Sequence, residues 1–199
     1  MRNIGIVLFE DAEELDVVGP YEVLAWAGAV RQGFASTFTV AASGDPVRCH
    51  KGMRIVPDHD FASAPPLDVI VVPGGVGARA AAADPALLAY VREQSTRCEW
   101  VTSVCTGATV LLAAGPAVGK RITTYWGAVE RLRGLGQAAA VLDDVRFVRD
   151  GNVVTSAGVS AGIDMALWLV GEMAGDPAFA REVQKGIEYF PAPPYTAAA

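Results

Sequence analysis

Few residues in this chain are suited to chemistry, and one of them stands in a stretch that would display it. Trp100-Val101-Thr102-Ser103-Val104-Cys105-Thr106-Gly107-Ala108 reads as a short apolar strand that stops at a cysteine and turns at once into a helix. Val110, Leu111 and Ala114 continue it at helical spacing. Gly107 and Ala108 are small enough to let that helix start close against the strand. The pattern is that of a nucleophile elbow, where a reactive residue sits on a sharp strand-to-helix turn. At such a turn the unpaired N–H groups and the helix dipole favour thiolate over thiol. By itself the stretch fits a buried core cysteine equally well, because free cysteines usually pack as small hydrophobes.

Two other places share the position of Cys105 at the carboxyl end of an apolar strand. Asp16 follows the run Ile4-Gly5-Ile6-Val7-Leu8-Phe9, and Gly74-Gly75 follows Asp68-Val69-Ile70-Val71-Val72-Pro73. Taken locally, Asp16 is simplest as a helix N-cap, since Pro20 belongs in a first turn and sets the helix start near Val18 or Gly19. The two glycines fit a tight turn, or a place where bare backbone N–H groups meet a ligand.

The elements that must carry these residues alternate. The apolar run at 4–9 and that at 68–72, apolar after Asp68, are strands covered on both faces. Further strands are expected over 37–42 and 54–57, with an extended segment over 121–126. Asp84 and Pro85 read as N-cap and first residue of a helix reaching about residue 96. Residues 127–135, 160–174 and 177–187 are also helical in pattern. Asp150-Gly151 between 145–149 and 152–156 is a strong hairpin signal. The sum is an α/β fold, a three-layer sandwich with a mainly parallel central sheet and one antiparallel hairpin. Ligands bind outside the carboxyl ends of such strands, which is where Asp16, Gly74-Gly75 and Cys105 converge. That convergence favours a working Cys105.

Composition narrows the function. With 199 residues, 52% of them hydrophobic, the chain suits one core, and no repeat or linker divides 1–199. A net charge of −6 argues against nucleic acid or an anionic membrane as partner. No stretch reads as a membrane span or a signal peptide. Three cysteines (Cys49, Cys98, Cys105) without a Cys-x-x-Cys spacing argue against a disulfide framework or zinc site and suit a cytoplasmic setting. His50 and His59 are the two histidines, and both precede the elbow in a segment where no catalytic base is expected. A Cys-His dyad and peptidase chemistry are accordingly not expected.

Leu15-Asp16-Val17-Val18-Gly19-Pro20, Val71-Val72-Pro73-Gly74-Gly75, Thr102-Ser103-Val104-Cys105-Thr106-Gly107, Gly119-Lys120-Arg121-Ile122-Thr123-Thr124 and Glu188-Tyr189-Phe190-Pro191-Ala192-Pro193-Pro194 together resemble the ThiJ/PfpI superfamily. Within it they are most similar to bacterial isonitrile hydratases. The resemblance implies a flavodoxin-like fold, a homodimer, and a small-molecule substrate handled without metal or organic cofactor. It makes Cys105 the nucleophile, Asp16 the acid/base and Thr106 an assistant beside the thiol. Backbone N–H groups of Gly75 and Thr106 would receive negative charge. Gly74 would adjoin the substrate. Tyr125, standing where those hydratases typically carry histidine, and Trp126 either line an apolar substrate pocket or simply pack. A carboxyl near a thiolate should have a raised pKa, because two adjacent anions disfavour each other. The implied reaction is hydration of an isonitrile through a Cys105 thioimidate. The alternative is a stress or redox protein that acts on glyoxals or senses oxidation through Cys105. A DNA-binding regulator of the AraC type is disfavoured, since the chain leaves no length for a helix-turn-helix region. The proline-rich end, 191–196, is expected to be an extended arm near a subunit boundary or pocket mouth.

Overall fold

The computed structural model describes residues 1–191; of the expected arm only Pro191 falls within them. In chain order the elements are β1 (Arg2–Val7), α1 (Glu14–Val30), β2 (Ala35–Ala41), β3 (Val47–Arg48), β4 (Arg54–Ile55), β5 (His59–Asp60), β6 (Val69–Val72), α2 (Ala78–Ala81), α3 (Pro85–Ser95) and β7 (Trp100–Ser103). They continue as α4 (Gly107–Ala114), β8 (Arg121–Thr123), a 3-10 turn over Trp126–Ala128, α5 (Val129–Leu135), β9 (Ala140–Leu142), β10 (Phe147–Asp150), β11 (Val153–Ser156), α6 (Ala161–Ala174) and α7 (Pro177–Gly186).

Seven strands form the main sheet in the order β10-β11-β7-β6-β1-β2-β5, parallel except for the β10–β11 hairpin around Asp150-Gly151. Helices cover both faces: α1, α6 and α7 pack together on one side, and α2, α3 and α4 on the other. This is the three-layer sandwich that the alternation of patterns predicts and the flavodoxin-like fold that the resemblance implies. Residues 4–9 and 69–72 are buried along their whole length, as doubly covered strands must be. Two small pairings add to the expected one hairpin: β3–β4 is antiparallel and β8–β9 parallel. Asp84 caps α3 as expected, its carboxylate accepting from the N–H groups of Ala86 and Leu87.

The start of α1 corrects the sequence reading. The helix begins at Glu14 and runs straight through Pro20. Proline there cannot donate to the Asp16 carbonyl and crowds it, a cost usually sufficient to end a helix. Gly19 lessens the clash because it has no Cβ to meet the proline ring. Packing supplies the rest: a Cβ added to Gly162 of α6 would stand 3.2 Å from the Pro20 ring and 3.0 Å from the Val104 methyls. The missing side chain lets α1, α6 and the end of β7 close on one another. In the described residues no helix is long and apolar enough to cross a membrane.

Candidate active site

Parallel order places β1, β6 and β7 side by side, so the turns after them share one edge of the sheet. Cys105 occupies the turn between β7 and α4 with φ +56°, a left-handed backbone that non-glycine residues rarely adopt. The strained peptide is tethered on both sides. Its N–H lies 3.2 Å from the Ser156 carbonyl and 3.1 Å from that of Ala157, and its carbonyl accepts from the Thr124 hydroxyl at 2.9 Å. Gly74 and Gly107 are required by closeness. A Cβ at Gly74 would stand 2.4 Å from the Thr106 nitrogen and 2.9 Å from the Cys105 Cβ, and one at Gly107 would stand 2.2 Å from the Val72 carbonyl oxygen.

Asp16 is the third residue of α1, and its side chain does not cap that helix; Glu13 holds the N-cap position without a side-chain bond. The carboxyl turns inward, fully buried, and Oδ2 accepts from the Gly74 N–H at 2.8 Å. Oδ1 is buried without a hydrogen-bond partner. The Cys105 thiol and the Val159 N–H adjoin the carboxyl and draw its pKa down, but burial outweighs them. Burial first, then the charge of Glu13, pushes Asp16 up to about 7 against the Gly74 hydrogen bond. A buried oxygen that lacks a donor is where a carboxylic acid keeps its proton.

The thiol differs from the expectation of a helix-stabilised thiolate. Cys105 is 6% exposed, and burial, followed by the charge of Asp16, pushes it up to about 12. The Thr106 N–H and hydroxyl and the Val159 N–H pull the other way and do not prevail. Sulfur therefore keeps its proton across neutrality while the carboxyl gives up its own as pH rises through about 7, leaving thiol beside carboxylate above that. Desolvation of sulfur wins over the helix N-terminus.

Thr106 bridges the two loops: its hydroxyl accepts from the Gly75 N–H at 2.9 Å and donates to the Gly75 carbonyl at 3.0 Å. This revises the expected anion-receiving pair. The Gly74 and Gly75 N–H groups are engaged by Asp16 and Thr106, so the N–H groups that face sulfur are those of Thr106 and Val159.

Cys105 and Thr106 open onto a cavity of about 810 Å³, also lined by Glu13, His50, Lys51, Arg79, Tyr125, Arg131 and Val159 among others. The Tyr125 ring lies between two glycines: a Cβ at Gly158 would be 2.5 Å from it and one at Gly127 2.9 Å. Trp126 is not brought to this cavity. It is 79% exposed and borders a separate groove with Asp143 and Arg146. The two rings lie 5.2 Å apart, and Tyr125 borders both the cavity and the groove whereas Trp126 borders the groove alone. His50, set aside on sequence order, does line the cavity. The turn between β3 and β4 brings it there, its N–H bonded to the Ala12 carbonyl at 2.9 Å, and no hydrogen bond among the described residues joins it to Cys105. Val159, with φ +54°, is another residue that sequence reasoning missed, as are Arg79 and Arg131. A β-branched residue in that conformation is a strong outlier, and no local pattern announces it.

The chain is 43% identical over 193 residues to an isonitrile hydratase of Pseudomonas putida, covering 97% of this chain and 81% of that protein. It is 33% identical to the glutathione-independent glyoxalase DJR-1.2 of Caenorhabditis elegans, over 83% of this chain and 85% of that one. A solved ThiJ/PfpI family protein from Pseudomonas syringae superposes with a TM-score of 0.87 at 36% identity, covering all of this chain and 79% of that one. With residues 2–172 matching the DJ-1/PfpI family, the chain belongs to that family.

Proposed function

We propose that this chain is an isonitrile hydratase in which Cys105 is the nucleophile and Asp16 moves the protons. The observation that carries the reading is the buried Asp16 carboxyl beside the strained thiol, with one oxygen held by Gly74 and the other unpartnered. The name of the 43% identical relative supports the substrate. The starting state is thiol and carboxylate. As sulfur attacks the terminal isonitrile carbon, Asp16 takes the thiol proton and delivers it to that carbon. An S–C bond and a C–H bond form, the carbon–nitrogen triple bond becomes double, and a thioimidate results. Water then adds across C=N, its oxygen to carbon and a proton to nitrogen. The adduct collapses with cleavage of C–S, the hydroxyl proton passing through Asp16 to sulfur. An N-substituted formamide leaves, and thiol and carboxylate are restored. The N–H groups of Thr106 and Val159 stabilise sulfur as it departs, and Thr106 holds the Gly75 turn against the elbow.

The test is conversion of cyclohexyl isocyanide to N-cyclohexylformamide by the parent protein, Cys105→Ala and Asp16→Asn. Turnover by the parent alone supports the reading, and a parent that is folded but inert overturns it. A second reading, addition of the thiol to a glyoxal, is favoured by the name of the Caenorhabditis elegans relative. Cys105-dependent consumption of methylglyoxal in place of the isocyanide would select it.

A further inference from the structure

The walls of the Cys105 cavity carry three cations, Lys51, Arg79 and Arg131, against one carboxylate, Glu13. Lys51 is already neutralised, since its ammonium contacts Glu13 and lies 3.9 Å from Glu14. The two arginines are not. Arg131, on α5, spends one guanidinium nitrogen on the Thr109 hydroxyl of α4 at 3.2 Å. Neither Arg79, on α2, nor Arg131 has a carboxylate within ion-pair distance among the described residues, although nine other cationic side chains do pair. In a chain of net charge −6, two uncompensated guanidiniums on one cavity run against the general surface. Both are exposed, so their donors are open to a ligand.

The cavity is also larger than a small isonitrile requires. Its volume of about 810 Å³ lies within the range of pockets that enclose drug-sized ligands. Val76, Ala78, Ala128, Val159 and Tyr125 supply apolar wall. An apolar body with an anionic end fits such a lining, and a guanidinium fork is the side chain best matched to a carboxylate.

We infer that Arg79 and Arg131 form a carboxylate-recognising subsite of the Cys105 cavity, so that the preferred substrate is an isonitrile bearing an acid group remote from the reacting carbon. The anion subsite stands on the cavity alone; the isonitrile half rests on the function proposed above.

The first measurement needs no turnover. Second-order rates of Cys105 alkylation by iodoacetate and by iodoacetamide, read by peptide mass spectrometry, give a ratio in which thiolate population cancels. That ratio should exceed the one for 2-mercaptoethanol, fall about ten-fold in Arg79→Gln/Arg131→Gln, and fall with added salt. If the double variant unfolds, Arg79→Gln alone should lower it several-fold. A parent ratio at or below the reference, a ratio unchanged in the variants, or no labelling of Cys105 by either reagent overturns the subsite. The second measurement compares kcat/KM for 6-isocyanohexanoate and cyclohexyl isocyanide, whose quotient should fall in the same variants. An arginine-dependent alkylation ratio without isonitrile turnover keeps the subsite and ends the hydratase reading. Turnover of the neutral isocyanide with an arginine-independent ratio does the reverse.

Discussion

Replacing Asp16 by asparagine tests acid and fold together. Asparagine keeps an oxygen to accept the Gly74 N–H, now at 2.8 Å, and places an amide toward the unpartnered side. It cannot ionise. In the parent the carboxyl is raised from 3.8 to about 7, chiefly by burial. The native state therefore retains a proton that the unfolded chain has lost between those values. Stability from the neutral acid is full below about pH 4 and is lost as pH rises through 7. About three pKa units at 1.36 kcal/mol each give a total cost of ~4 kcal/mol for ionising Asp16 in place. Some ~2–3 kcal/mol of this develops between pH 5 and pH 8. Asp16→Asn should thus lack that loss and gain on the parent as pH rises. For a chain of this length the gain corresponds to ~5–10 °C in Tm at pH 8 relative to pH 5. Denaturant unfolding at several pH values, repeated in a Cys105→Ala background, would measure it. Turnover should meanwhile fall ~10²–10⁴-fold if the carboxyl moves protons. A stability difference between parent and variant that stays constant from pH 5 to pH 8 would refute the buried-acid argument.

Other outcomes follow from the same geometry. In the parent, kcat/KM should rise with pH through about 7 as Asp16 ionises and hold level well beyond pH 9, because the thiol is pushed up to about 12; a rise near 9, typical of an ordinary thiol, would show that Asp16 is no base. Iodoacetamide should modify Cys105 before Cys49 or Cys98, because burial raises all three thiols, to about 11 at Cys49 and about 12 at the other two, and Cys105 alone of the three lines the cavity; equal rates would contradict the site. Gly74→Ala should abolish turnover and lower Tm, since its Cβ would stand 2.4 Å from the Thr106 nitrogen; wild-type behaviour would mean the turn is not packed as described. The expected homodimer should sediment as such at micromolar concentration, and a clean monomer would remove it.

Where sequence reading succeeded and failed has physical reasons. The strands over 4–9 and 69–72, the Asp84 cap and the Asp150-Gly151 hairpin are set by residues adjacent in the chain, so local pattern reveals them. The positive φ at Cys105 follows from the same local logic. Asp16 does not: a proline at 20 argues for a later helix start, and the packing of α1 against Gly162 that helps offset its cost is a tertiary contact. The thiol was misjudged because a helix N-terminus is visible in sequence, whereas the depth at which sulfur lies is a tertiary property. His50, Arg79, Arg131 and Val159 come from separate turns and helices, and no spacing rule relates them to Cys105.

The tethers of the elbow have a bearing on how the chain becomes active. Asp16 and Gly74 are 58 positions apart, and Gly75 and Thr106 31 apart, while the Cys105 N–H waits for carbonyls supplied after β11. Each closure depends on a long-range parallel pairing, of β1 with β6, β6 with β7 or β7 with β11, the slow kind. No partly folded or nascent chain can then hold the thiol against its carboxyl, and a cysteine made reactive by Asp16 is withheld until the sheet is complete from β1 to β11. During refolding, Asp16-dependent alkylation of Cys105 should appear in the last kinetic phase, after helical signal has returned.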